Sequence, residues 1–268
     1  MHGSASRDAS FDLTDRAAVP ASALGRLIRG MLPMVSLYIF YTLVRYAVRD
    51  RGPAYGLKNA YEVLRIESFL GLDWERTIQS VALPHRWLVI GANWYYTVGF
   101  LPVILLVAGI AAIRAHTIFL WWRRRFTVTL LMALICFASF PLAPPRMLPN
   151  MVDTLQTYGP RYYGDDHGAS LFNAYGRLPP MVNVYAAMPS MHVAWSIIVG
   201  ALLIAAFQRA WWAQMLGIAH PVLMAIAVIA TANHFLLDVV IGVGTLGLTM
   251  VLLAYWERRH HPTTRSVP

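Results

Sequence analysis

The stretch PSMHVAWSIIVGALLIAAFQ, residues 189–208, opens on Pro189, Ser190 and His192 and then runs apolar for more than a dozen residues. A run of about 20 mostly apolar residues is long enough to cross a bilayer as a helix. Only helices and closed barrels can cross, because no backbone polar group goes unpaired in hydrocarbon. Working outward, similar runs occupy 30–48, 87–113, 126–143, 212–232 and 234–256. The last two are separated by almost nothing. Counted together, they predict an all-α membrane protein built as a six transmembrane helix bundle. A histidine at the mouth of such a run is costly unless it has a partner or a task.

Composition supports this class. Of 268 residues 57% are hydrophobic and 13% charged, against roughly 25% charged in soluble domains. Cys136 is the single cysteine, so an internal disulfide is excluded. The net charge of +9 resembles a nucleic-acid signal. Its placement at the ends of apolar runs instead marks topology and anionic lipid, and no nucleic-acid partner is expected.

Residues 1–24 lack periodicity and read as a disordered cytoplasmic N-terminus. Arg26 and Arg29 precede the first apolar run without a small-residue cleavage site after it, so that run reads as an uncleaved span. Residues 25–256 form the membrane domain and 257–268 a cytoplasmic tail. Between the first two spans, residues 59–83 of NAYEVLRIESFLGLDWERTIQSVALP carry Val63, Leu64, Phe69, Leu70, Trp74, Ile78 and Val81 at roughly helical spacing. Charges fill the gaps, so the segment cannot span; it reads as an amphipathic helix lying in the interface. An ordinary surface helix is the plainer reading. Arg26, Arg29, Arg114, Arg123–Arg125, Arg209, Arg258 and Arg259 load one side and place it in the cytoplasm. Both termini are then cytoplasmic, in a multi-pass cell-membrane protein. His192 and residues 231–238 meet at the extracytoplasmic face.

That second cluster reads TANHFLLDVVIGVG, residues 231–244. His234 and Asp238 share a helix face at i, i+4. A carboxylate beside an imidazole orients the ring and fixes its tautomer; it also serves simply as glue between helices. In FPLAPPRMLP, residues 140–149, Arg146 follows two prolines at the outer end of the third span. Its planar fork suits phosphate oxygens, or it snorkels to headgroups. Ser190 is placed to cap a helix, whose N-terminus is a ready anion site. Two imidazoles, a carboxylate, an arginine and a helix N-terminus make a kit for phosphoryl transfer without a metal.

PSMH at 189–192 resembles the P-S-G-H motif of the type 2 phosphatidic acid phosphatase (PAP2) superfamily. HFLLD at 234–238 resembles its H-x-x-x-D motif, and Arg146 corresponds loosely to the arginine of its first motif. The resemblance covers roughly residues 126–250 and implies a six-helix bundle with an extracytoplasmic site. It implies that His234 is a nucleophile forming a phosphohistidine, oriented by Asp238. His192 is then the acid for the leaving group, and Ser190 with neighbouring N–H groups holds phosphate; Asn233, beside His234, joins the substrate-binding set. No metal and no cofactor are implied, and the substrate is a lipid phosphate. This chain departs at Met191 in place of glycine. Ser139 stands where a lysine falls, and Val228 where an arginine falls. In this it resembles the branch with inositol phosphorylceramide and sphingomyelin synthases, whose members transfer a headgroup to another alcohol. A polyol acceptor is thus implied beside water.

The extracytoplasmic loop 144–188 carries Tyr158, Arg161, Tyr162, Tyr163, Asp165, Asp166, His167 and Arg177. One reading makes it a lid whose Arg161 or Arg177 replaces a missing phosphate cation; the other rests it on headgroups. The Asp165–His167 run suggests a metal, but three adjacent residues rarely converge on one ion. Gly242, Gly244 and Gly247 are expected at close helix contacts. Rival functions are a transporter with a His–Asp proton relay and a non-catalytic family member. A transporter would show inverted repeats and broken helices in matching halves, and neither is visible.

Overall fold

A computed structural model describes residues 22–47, 52–158 and 184–260. The described residues form ten α-helices: α1 Ala23–Ala47, α2 Gly52–Leu70, α3 Glu75–Ala82, α4 Arg86–Trp94, α5 Phe100–Arg114, α6 His116–Ser139, α7 Thr154–Tyr158, α8 Met191–Ala206, α9 Trp211–Ala230 and α10 Leu236–His260. A π-helical turn, Tyr95–Gly99, joins α4 to α5. Among the described residues the protein is all-helical apart from one isolated bridge, Leu142 to Ala186.

Each expected apolar run carries a helix with shifted ends, but the one expected to span over 189–208 is Met191–Ala206, 16 residues and short of the length a crossing needs. α1 begins at Ala23, inside the stretch expected to be disordered, whose residues 1–21 lie outside the described residues. α6 begins ten residues before the expected 126, because Arg123–Arg125 belong to its regular turns. It ends at Ser139, since Pro141, Pro144 and Pro145 cannot continue a helix. α10 runs through the expected tail as far as His260. Among the described residues three helices are long and apolar enough to cross a membrane: α1 over Ala23–Val44, α9 and α10. The α4–α5 pair, bent by 54°, makes a fourth if it is one span. Pro102, in the first turn of α5, lacks the N–H of a regular ladder and accounts for the widened turn and bend.

α1, α5, α6, α8, α9 and α10 enclose the main core, where Phe126, Leu130, Trp195, Ile198 and Met224 pack. α8 and α9 touch through glycine: a Cβ on Gly200 would stand 2.0 Å from the Gly217 carbonyl oxygen. Outward faces stay apolar, with Ile135, Ile218 and Val251 exposed, as a lipid-facing bundle requires. Arg123 donates to the Arg29 and Gly30 carbonyls, and Arg125 pairs with Glu257. These positive residues therefore share one end of the bundle.

The segment expected as one interfacial helix over 59–83 is two helices. Gly71, at φ 69°, ends α2, and Leu72 N–H returns to the Glu67 carbonyl at 2.8 Å. That is the glycine stop common at helix C-termini. The faces also differ from the sequence expectation. Glu67, Glu75 and Gln79 are buried, whereas Phe69, Trp74 and Val81 are exposed. A smaller core of Ala60, Val63, Leu142, Ala143, Leu148 and Phe235 lies beneath α2. Of the loop 144–188, residues 145–147 form a 3-10 turn and 154–158 form α7. Arg161, Arg177 and the Asp165–His167 run lie outside the described residues.

Candidate active site

α8 and α10 bring the two sequence clusters together. Ser190 occupies the N-cap position of α8, and its N–H donates to the Asp238 carbonyl oxygen at 3.0 Å. The loop thus rests on the first turns of α10. Gly242 permits this approach, because a Cβ there would stand 2.5 Å from the Ser190 carbonyl oxygen. Gly244 and Gly247 have nothing within 4 Å of a built Cβ, so only the first of the three expected contact glycines makes a close contact.

His234 is the centre of the cluster. Its Nδ1 lies 3.3 Å from Asp238 Oδ2, and its Nε2 lies 3.3 Å from His192 Nδ1. A fully buried carboxylate accepts from Nδ1–H, which leaves a lone pair on Nε2. His192 must then carry its proton on Nδ1, pointing at that lone pair. Asp238 Oδ2 also accepts from Phe235 N–H at 2.9 Å. His192 is held between two rings, Tyr96 at 4.3 Å and Phe100 at 4.4 Å between centroids. Both rings are set by the π turn. Sequence reasoning missed them, since a π turn leaves no pattern beyond Pro102.

Arg146 sits in the 3-10 turn after α6, 7% exposed. Its Nη1 donates to Asn233 Oδ1, and its own N–H donates to the Ala232 carbonyl at 2.9 Å. Asp153 Oδ2 lies 3.5 Å from its Nε. Burial lowers the guanidinium from its ordinary range, and the charge of Asp153 opposes that; an arginine stays protonated regardless. Asn233 Nδ2 donates to Thr231 Oγ1 at 2.7 Å. Thr154 donates to Asn93 Oδ1 and to the Thr231 carbonyl. This buried chain fixes Asn233, and Asn233 fixes Arg146. Ser190 Oγ is fully buried and finds no partner among the described residues. Its hydroxyl does not cap α8, so the expected capping role is not fulfilled by that oxygen.

Arg146, Asn233, His234, Asp238, Ser190 and His192 therefore converge at one end of the bundle, opposite Arg125. Ser139, where a second cation falls in the motif, bonds its own helix carbonyls, and Val228 is buried in the core. No group of three potential metal ligands occurs among the described residues. Two imidazoles in contact, a carboxylate on one of them and a buried guanidinium are groups whose chemistry suits attack on a phosphoryl group. A profile of the PAP2 superfamily matches residues 61–252. No curated protein and no solved structure matches the chain.

Proposed function

We propose, from the premise that this chain belongs to the PAP2 superfamily, that it is a membrane phosphoesterase acting on a lipid phosphate through a phosphohistidine. One observation carries this reading: His234 has its Nδ1 on Asp238 and its Nε2 on a second imidazole. Nε2 attacks phosphorus while the P–O bond to the lipid breaks. The leaving oxygen takes the His192 Nδ1 proton. Nδ1–H of His234, now on a cationic ring, stays on Asp238. Water then attacks the phosphohistidine and returns its proton to His192, releasing phosphate. Arg146, Ser190 Oγ and the free N–H groups of α8 receive the phosphate oxygens. The 3.3 Å between the imidazoles is too short for a phosphoryl group in line, so substrate binding must part them.

The bundle crosses the membrane six times, with both termini cytoplasmic and the site extracytoplasmic. The gathering of Arg123, Arg125 and Glu257 at the end away from the site supports this orientation. A second reading replaces water by an alcohol or polyol acceptor. The absence of cations at Ser139 and Val228 favours it, as in the headgroup-transferring branch.

Purified protein in vesicles, given a radiolabelled lipid phosphate, should release phosphate and form an acid-labile phosphoenzyme. His234→Ala should abolish both. His192→Ala should slow phosphoenzyme formation about 10²–10⁴-fold with a poor leaving group, and less with a good one. Release of labelled phosphate at the wild-type rate from His234→Ala would refute the nucleophile. Transfer of label to added polyol, with little release in its absence, would select the second reading.

A further inference from the structure

Three successive N–H groups at the start of α10 end on three carboxyls, one from the helix's own first turn and two from a distant part of the chain. Phe235 N–H reaches Asp238, Leu236 N–H reaches Glu75 Oε1, and Leu237 N–H reaches Glu67 Oε1 at 2.6 Å. Glu67 lies in the last turn of α2 and Glu75 begins α3, so the two flank the Gly71 turn. Both are buried, at 0% and 3% exposure. Carboxyls do not enter such surroundings without compensation. Here they gain the free N–H groups and positive end of a long helix.

We propose that Glu67 and Glu75 are positioning residues: by holding the Leu237 and Leu236 N–H groups they lock the first turn of α10 and so fix the His234–Asp238 pair. The inference rests on the phosphoesterase reading for its activity readout. Its geometric basis is that Asp238 Oδ2 answers both Phe235 N–H and His234 Nδ1. Any shift of the first turn therefore moves the carboxylate that orients the nucleophile. The α2–α3 hairpin thus becomes part of the active-site framework. Burial raises Glu67 to about 8 and raises Glu75 as well. A protonated carboxyl still accepts an N–H through its carbonyl oxygen, so the role needs an acceptor rather than a charge.

The test compares full-length Glu75→Gln, Glu67→Gln and Glu75→Asp in vesicles. The glutamines keep an acceptor oxygen at the same reach, so kcat should stay within about threefold of wild type. Aspartate keeps the charge but is one methylene short of Leu236 N–H. An ångström of misplacement costs about 10²-fold, so kcat should fall by about that factor with KM within about twofold. The ¹⁵N spectrum of labelled histidine, with His234→Asn to identify the signal, gives a readout free of substrate. The His234 tautomer balance should change in Glu75→Asp and not in Glu75→Gln. Wild-type kcat and an unchanged His234 signal in folded Glu75→Asp would overturn the proposal. So would an equal loss in folded Glu75→Gln. If wild type fails to turn over lipid phosphate, the phosphoesterase reading falls, and the ¹⁵N comparison alone decides this one.

Discussion

Two arginines are buried at opposite ends of the molecule, and their partners differ. Arg125 is met by both oxygens of Glu257 at 3.2 and 3.0 Å, donates to the Trp121 carbonyl, and stacks over the Trp121 ring. Its partner is a carboxylate, which Arg124 shares at 3.5 Å. Arg146 is held by a neutral amide, Asn233, and by Asp153 at 3.5 Å. It stands at the end of the bundle that holds His192 and His234, tied through Asn233 to the residue next to His234. Along α10 the two ends are separated by 19 residues from Asp238 to Glu257, about 28 Å at 1.5 Å per residue. The difference teaches that burial alone does not mark a functional cation: the sign and distance of its partners do. The same substitution at each end should separate them. Arg146→Gln should lower kcat/KM for a lipid phosphate about 10²–10³-fold, the usual loss of one oxyanion-type donor, with a small change in Tm. Arg125→Gln should lower stability by about 1–3 kcal/mol, as for hydrogen bonds to charged groups, and leave kcat/KM within about threefold. An activity loss at Arg125 as large as at Arg146 would break the distinction.

Glycines on α10 sharpen the same contrast. A Cβ on Gly242 meets backbone, the Ser190 carbonyl oxygen at 2.5 Å, and backbone cannot swing aside. Gly242→Ala should push α8 off α10, part His192 from His234, and cut kcat about tenfold or more. Gly247, farther toward the Arg125 end, meets nothing within 4 Å. Gly247→Ala should leave kcat unchanged and raise stability by up to about 1 kcal/mol, the helix-propensity difference. Paired thermal and kinetic measurements on both variants check this.

Much of the bundle was legible because apolar runs and helix spacing are local properties. The i, i+4 spacing of His234 and Asp238 pointed to their 3.3 Å contact, but not through a shared helix face: α10 begins at Leu236, and Asp238 reaches back from its first turn to His234 in the preceding turn. The meeting of His192 with His234 was legible only through alternating crossings, and the structure supplies the contact directly. What stayed hidden was long-range. Glu67 and Glu75 looked like the solvated side of an interfacial helix, because periodicity shows that a face exists and not what it faces. A helix N-terminus 161 residues away supplied their partner. Tyr96 and Phe100 were hidden for a related reason: the π turn changes which residues share a face. Gly244 and Gly247 looked like Gly242 because three small residues on one helix carry no record of which one another backbone approaches.

The smallest expected effect concerns carboxyls at the two ends. Glu257 faces two guanidiniums, whereas Glu67 faces N–H groups and other carboxyls. Burial foremost, aided by the charges of Glu75 and Asp238, moves Glu67 from its ordinary 4.5 to about 8, despite the opposing Leu237 N–H. In the unfolded chain Glu67 loses its proton near 4.5; in the folded protein it keeps it until about 8. Between those values the folded state binds more protons, so stability falls as pH rises. Below 4.5 both states are protonated and the slope from this residue vanishes. Glu67→Gln removes the titration, so its Tm relative to wild type should be higher at pH 8 than at pH 5. Glu75, also raised, should leave a shallower slope in the variant. Glu257→Gln, by contrast, should lower Tm throughout the range by removing an ion pair. A Tm difference between Glu67→Gln and wild type that stays constant from pH 5 to pH 8 would mean that the carboxyl is ionised in the fold. The first turn of α10 would then hold a full negative charge beside Asp238.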